Sequence, residues 1–199
     1  FSFRLEKGIK MDLFLGIFTA FGLSASTGLN AYLPLLVVSI LARFTDWITL
    51  SQPWDTLESW WVIGVLAVLS LVEFFADKIP AVNHVNDAIQ TFVRPAAGAV
   101  AFAASAKVVT DVNPVLALIL GLLVSGSVHA VKSAAVRPLV TATTGGAGNI
   151  PVSIAEDVFS TLLSILAIVL PILMILFIIV LVFFTIRLLL KRPRPQPRY

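Results

Sequence analysis

The 199-residue chain is 58% hydrophobic and only 13% charged, with a mean hydropathy of +0.98. A soluble domain usually carries about a quarter charged residues, so this composition excludes an ordinary water-soluble domain and predicts a membrane protein. The net charge of +3 is concentrated near the two ends of the chain, which favours contact with lipid headgroups over nucleic acid, and the lack of cysteine excludes disulfides and thiolate chemistry.

The predicted fold class is all-α: a polytopic bundle of about five to six membrane crossings, some of them short or re-entrant. Met11 is typical of a natural start, so we interpret residues 1–10 as an upstream extension. Residues 11–190 are expected to form one transmembrane domain, with possible halves at 11–111 and 112–190. Residues 191–199 are a tail rich in proline and arginine, which we expect to be solvated.

The first apolar run carries no charge from Leu13 to Ala42. Small and polar residues interrupt it at 22–30, which predicts a helix that is either closely packed there or broken. All four tryptophans follow between positions 47 and 61. Tryptophan favours the headgroup level of a bilayer, so this segment is predicted to mark one membrane face.

A second crossing is predicted from Trp60 to Phe75, and it ends in a cluster of charged residues. Pro95 then precedes a run of small residues, 96–106, that is short for a spanning helix. Two alternatives remain open for this run. It is either a re-entrant segment or the second half of a helix that begins near Val82.

The second half of the chain contains the longest apolar runs. A crossing is predicted from Val115 to Val131, continuing toward Arg137, and the glycine-rich stretch 143–149 is typical of a loop. From Val158 to Ile186 the chain has 29 residues without charge. Pro171 lies within that run and predicts a kink.

Three short segments recur in order along the chain. Residues 22–31 and 121–130 share glycine, leucine, serine and alanine in register. Val93-Arg94-Pro95 recurs at 136–138, and Lys78-Ile79-Pro80 is echoed at 149–151. Transporters are often built from inverted repeats that meet at broken helices, so the echoes favour an inverted repeat. The alternative is chance similarity among residues common in membrane helices.

Ionisable residues at membrane depth cost about 2.5–3.5 kcal/mol each to insert and usually mark function. The residues that we predict to bind substrate are Arg94, Arg137, Lys78, Lys132, Asn30 and His129. Those that we predict to form ion pairs or a proton relay are Glu73, Asp77, Asp87, Glu156 and Asp157. The alternative is that these charges lie at membrane boundaries and only fix topology, and that Asn30 and His129 make interhelical hydrogen bonds.

The two Arg-Pro pairs favour an anion site. Because proline prefers the first helical position, Arg94 and Arg137 are expected to lie beside helix N-termini, whose free amides attract anions. The two histidines lack metal-ligand spacing, and no nucleotide loop or nucleophile motif is present. We therefore predict no catalytic residue, no metal and no cofactor, and we do not expect an enzyme.

The motifs at 22–34, 93–95 and 148–153 resemble an uncharacterised family of small bacterial membrane proteins, domain of unknown function 4126. The resemblance covers roughly residues 11–180. It implies a bacterial inner membrane location and carries no activity or substrate. The pair of arginines is also similar, in architecture alone, to small inverted-repeat carriers of lipid-linked phosphates.

The function that we expect is a small transporter or lipid translocase for an anionic solute or a phosphate-bearing headgroup. The alternative is a membrane scaffold or assembly partner that transports nothing. The expected partners are the lipid bilayer, an anionic small molecule or lipid, and further copies of the chain in a homo-oligomer; nucleic acid is not expected.

Overall fold

The computed structural model describes residues 2–50, 52–105, 113–171, 179–180, 183 and 187, with side chains from residue 15 onward except for 80–84. Within these ranges the predicted all-α class is confirmed. The helices are α1 (Ser2–Leu29), α2 (Tyr32–Phe44), a 3-10 helix (Trp54–Glu58), α3 (Trp60–Ala76), α4 (Pro80–Ser105), α5 (Pro114–Val131), α6 (Arg137–Thr144) and α7 (Asn149–Val169). A π-helical turn (Lys132–Val136) joins α5 to α6.

The first two helices form a hairpin whose tip is Asn30 and Ala31. The chain just after α2, at residues 46–49, lines the same cleft as Leu15 and Thr19 of α1, so α2 returns along α1. The predicted interruption at 22–30 therefore lies at its end, because α1 stays helical through Leu29. Helix α3 then runs antiparallel to α2, with Arg43 Nη1 donating to the Glu58 carbonyl at 2.7 Å.

Helix α4 resolves the ambiguity around Pro95. The helix begins at Pro80 and continues to Ser105, with Pro95 in its interior. The alternative in which Pro95 opens a re-entrant segment is wrong, and the alternative of one longer helix is confirmed. A proline inside a helix removes one backbone donor, and α4 packs here against α1 and α5.

Helix α5 continues without a break into α6. Pro138 has no amide hydrogen, and the preceding π-turn accommodates it: the Arg137 amide donates to the Lys132 carbonyl, five residues back. The loop predicted at 143–149 is a tight turn with positive φ at Gly145 (63°) and Gly146 (92°).

Helix α7 follows this turn and starts at Asn149, nine residues before the apolar run that predicted it. Leu170 is not helical, with φ −136° and ψ 64°. It precedes Pro171, and the α-helical conformation is disfavoured for the residue before a proline. The rest of the predicted kinked helix, from residue 172 to 186, lies largely outside the described residues.

Among the described residues, two helical runs are long and apolar enough to cross a membrane: residues 114–144 and 149–169. The described parts of α1, α2 and α3 are apolar but shorter. Large apolar side chains cover the outside of the bundle, while buried positions include many serines and charged residues. These features weakly indicate a membrane protein.

Helices α1, α4 and α5 pack through small residues. A Cβ atom added to Gly28 would lie 2.6 Å from both the Ser125 carbonyl oxygen and the Val128 Cβ, and one added to Gly98 or Gly121 would also overlap its neighbours. Ser24 Oγ donates to the Gly121 carbonyl at 2.7 Å. The three helix backbones therefore approach as closely as glycine and serine allow.

No single symmetry operation relates all three pairs of repeated segments. The segments 22–31 and 121–130 lie side by side and run in the same direction, since contacts advance together from Ser24 with Gly121 to Leu29 with Lys132. The two Arg-Pro pairs lie on α4 and α6, which run in opposite directions. An inverted repeat requires opposed directions throughout, so these directions do not support it.

Candidate functional site: a buried ion-pair network

The centre of the site is an ion pair between α3 and α4 that solvent does not reach. Arg94 donates to Glu73 Oε1 from Nη2 at 2.9 Å and from Nε at 3.3 Å, and both side chains are 0% exposed. The Ala31 amide, at the start of α2, donates to the same carboxylate at 3.1 and 3.3 Å. Burying two charges is costly unless their lone pairs and protons are satisfied, and here the helix break supplies the additional donor.

Asp77, just after α3, connects the two arginines. Its Oδ2 lies 3.0 Å from Arg137 Nη2 and 3.7 Å from Arg94 Nη2. Lys132 Nζ lies 3.9 Å away, and Asn86 Nδ2 donates to Oδ1 at 2.6 Å. One carboxylate is therefore shared by three cations.

The outer part of the network lies toward the turn that precedes α7. Arg137 Nη1 donates to Asp87 Oδ2 at 3.1 Å, and Lys132 Nζ lies 2.8 Å from Glu156 Oε2. Side-chain exposure rises from 0% at Arg94 to 10% at Arg137 and 24% at Asp87. The network therefore has an enclosed end and a rim.

Charged groups also hold both ends of the α1–α2 break. Lys132 Nζ donates to the Leu29 carbonyl at 2.8 Å, where a helix C-terminus carries partial negative charge. Asn30 Nδ2 donates to Asp157 Oδ1 at 2.9 Å, and Lys78 Nζ pairs with Asp157 Oδ2 at 3.2 Å.

His129 extends the network between α4 and α5. Its Nδ1 lies 3.2 Å from Arg94 Nη1. Because a guanidinium only donates, Nδ1 must accept and Nε2 must carry the hydrogen, which is directed at Thr91 Oγ1 at 3.2 Å. The buried imidazole is therefore a neutral link from Arg94 to Thr91, whose hydroxyl donates to the Asp87 carbonyl at 2.8 Å.

The prediction that Arg94 and Arg137 lie beside helix N-termini is wrong. Pro95 lies inside α4 and Pro138 lies in the continuous run from α5 to α6, so within the described residues neither arginine lies beside a free helix start. The helix start that does face the network belongs to α2. Its amides are held by Glu73 and by Asn30, whose Oδ1 accepts from Tyr32 and Leu33 at 3.1 and 2.9 Å.

The structure brings all eleven candidate residues from the sequence into one network, in which Asn30, Lys78 and Asp157 form a branch that is joined to the rest through the backbone of residues 29–31. The eleven residues are Asn30, Glu73, Asp77, Lys78, Asp87, Arg94, His129, Lys132, Arg137, Glu156 and Asp157. Whether they bind a substrate stays a prediction. Among described side chains the network contains five carboxylates and four cations, so its charges nearly balance.

Sequence reasoning missed several polar partners. Asn86 bonds to Asp77, and Ser153 Oγ lies 3.5 Å from its Oδ2. Asn86, Gln90 and Arg94 are spaced four residues apart on α4 and so share one face, and that spacing was a usable signal. The side chain of His84 lies outside the described residues.

A separate cleft of about 380 Å³ lies at the end of the bundle that carries the exposed Trp47. Its lining includes Thr19, Asp46 and Ile168, and none of the network residues contributes to it. Within the described part of the chain no group of three His, Asp or Glu side chains is arranged to hold a metal ion.

The described fold and site define a class: a helical bundle with an apolar exterior, two helical runs of membrane-spanning length and a buried network of charges. The family described as a domain of unknown function (DUF4126) matches residues 17–191, and the chain belongs to that family. Comparison with curated proteins and with solved structures finds no match.

Proposed function

We propose that this protein is a small multi-pass transporter or lipid translocase of the bacterial inner membrane, and that it carries an anionic solute or a phosphate-bearing headgroup. The observation that supports the proposal best is the convergence of two distant arginines on one carboxylate. Arg94 and Arg137 lie 3.7 and 3.0 Å from Asp77 Oδ2. Ionic groups at membrane depth that face a bundle interior usually mark a solute or proton pathway.

The distribution of side chains supports a bilayer as the solvent. The exterior presents residues such as Val68, Leu71 and Phe92, all more than half exposed. Water penalises such a surface and lipid does not. Three exposed tryptophans, Trp47, Trp60 and Trp61, lie at one end of the bundle, as expected at a headgroup layer.

The helix break at Asn30 supports a carrier over a passive bundle. In many transporters, broken helices direct their amide ends at anionic groups and their carbonyl ends at cations, near the middle of the membrane. Here the amide end of α2 holds Glu73 and the carbonyl end of α1 holds Lys132. Side chains of the protein thus occupy both ends, and the acidic members hold the cations and relay protons between transport steps.

The proposal is tested by reconstituting the purified chain in phosphatidylethanolamine–phosphatidylglycerol vesicles. Two fluxes are measured: uptake of radiolabelled phosphate and movement of fluorescent phosphatidylglycerol between leaflets. The double variant Arg94→Gln/Arg137→Gln is expected to abolish flux, and Arg43→Gln, an exposed arginine outside the network, is expected to retain it. Size-exclusion profiles show that each variant is folded. Equal flux in the double variant and the wild type contradicts the proposal.

A second candidate is a scaffold that transports nothing. It is favoured by the pairing of Arg94 and Lys132 with carboxylates and by the close packing around Gly98, which both suit a static bundle. The vesicle experiment separates the two candidates, because a scaffold gives no flux in the wild type while its network still stabilises the fold.

A further inference from the structure

The two arginines of the network are not equivalent. Arg94 is completely enclosed, with Glu73, Asp77 and His129 around its guanidinium. Arg137 lies at the rim, where its Nη2 bonds to buried Asp77 at 3.0 Å and its Nη1 to Asp87 at 3.1 Å. A solute that enters from the α6–α7 turn therefore reaches the Nη1 side of Arg137 first.

Asp87 is the most exposed carboxylate of the network. Its side chain is 24% exposed, more than that of any other described ion-pair member. Oδ2 contacts Arg137, whereas Oδ1 is buried without a hydrogen-bond partner among the described residues. Asp77, by contrast, also receives a hydrogen bond from Asn86.

The shortest contacts of the network leave the same carboxylate without a cation of its own. The described network has five acids and four bases. Glu73, Asp77, Glu156 and Asp157 can each be matched with a different cation, namely Arg94, Arg137, Lys132 and Lys78. In this pairing by shortest contacts Asp87 is the acid that remains, and it shares Arg137 with Asp77 and, at 3.8 Å, with Glu156.

We infer that Asp87 is the displaceable ligand of an anion site on Arg137, and that Arg94 is a positioning residue that touches no solute. The incoming anion takes the place of the Asp87 carboxylate at Nη1, while Nη2 stays on Asp77. This inference rests on the proposed function and names the contact residue, the competing side chain and the face of entry.

The exchange also specifies the charge of the anion. One singly charged carboxylate leaves Arg137 and one group must replace it, so a monovalent oxyanion keeps the charge of the network unchanged. A phosphodiester of a lipid headgroup has that charge, whereas a dianion adds a negative charge to a network that already has an acidic excess. Buried uncompensated charge is strongly unfavourable, so we expect a phosphodiester to be preferred over sulfate.

The test is calorimetric titration of the full chain in nonionic detergent with dimethyl phosphate, a monovalent phosphodiester. Asp87→Asn removes the competing charge and is expected to bind the probe about tenfold more tightly than the wild type, since a charge-assisted hydrogen bond no longer has to be displaced. Arg137→Gln is expected to lose binding. Asp55→Asn removes an exposed charge in the 3-10 helix and is expected to match the wild type.

Unchanged, weaker or undetectable binding by Asp87→Asn overturns the inference, as does tighter binding of sulfate than of dimethyl phosphate. If Arg137→Gln does not fold, Arg137→Lys replaces it; it keeps the charge and is expected to bind several-fold more weakly because a lysine lacks the two-pronged donor geometry. Binding as expected without flux in vesicles contradicts the transporter alone. Flux that Asp87→Asn leaves unaltered contradicts the role of Asp87 and leaves the transporter standing.

Discussion

At the residue scale, Asn30 combines two tasks that are usually separate. Its Oδ1 accepts from the amides of Tyr32 and Leu33 and so caps the first turn of α2. Its Nδ2 donates to Asp157 at 2.9 Å. One fully buried amide thus caps the helix after the break and donates a hydrogen bond to a buried carboxylate.

Replacing Asn30 by alanine should therefore cost more than the loss of an ordinary cap. Asn113 is a matched control, since it caps α5 through a single bond to the Val115 amide and is exposed. We expect Asn113→Ala to cost about 1 kcal/mol and Asn30→Ala about 2–4 kcal/mol, because Asp157 also loses a donor. Thermal unfolding in detergent measures both, and similar losses of stability in the two variants would show that the Asp157 bond contributes little.

The sequence predicts which residues belong to the network far better than how they pair. Charges in apolar runs must find partners, so Glu73, Arg94 and Asp157 are identifiable from position alone. Which acid meets which base depends on the rotation and depth of each helix. Arg137 directly follows the π-turn and contacts both Asp77 and Asp87, and no periodicity in the sequence predicts that turn.

At the element scale, the helix boundaries predicted from the sequence are wrong where local helix propensity and tertiary packing disagree. Proline usually starts or breaks a helix, yet α4 continues through Pro95 because Gly98 and its neighbours let α1 and α5 support the helix on both sides. Helices α3 and α5 were predictable, since an unbroken apolar run of suitable length specifies them. The break at Asn30 was only partly predictable, because the preceding glycines and serines serve packing and not unwinding.

Close packing at Gly98 gives a prediction with an internal control. A Cβ at Gly98 would overlap Ser125 and lie 2.8 Å from Thr27 Oγ1, whereas a Cβ at Gly64 has nothing within 4 Å. Both glycines are helical, so alanine raises helix propensity at each by about 1 kcal/mol. We expect Gly64→Ala to stabilise the chain by up to about that amount, and Gly98→Ala to destabilise it by about 1–3 kcal/mol through overpacking. Midpoints of thermal unfolding that shift in the same direction for both variants contradict this account of the α1–α4–α5 interface.

At the scale of the whole molecule, the bundle has two distinct ends. Helix α7 has 21 residues and so extends about 30 Å, close to the thickness of a bilayer core. It begins after the Gly145–Gly148 turn, and near its other end Ile168 lines the cleft that also contains Trp47. The rim of the ion network faces the turn, whereas the tryptophans mark the opposite end.

This arrangement predicts that the tryptophan end and the turn emerge on opposite sides of a membrane. Because the sequence contains no cysteine, single cysteines can be introduced at exposed Thr56 and exposed Ala147 without removing any native thiol. A membrane-impermeant maleimide added to sealed, uniformly oriented vesicles is expected to label one of these variants and to label the other only after the vesicles are opened. Ser125→Cys, at a fully buried position, should stay unlabelled until the protein is denatured. If both exposed cysteines react from the same side, the two ends do not lie on opposite faces, and the rim at Asp87 and Arg137 no longer has a defined side from which an anion enters.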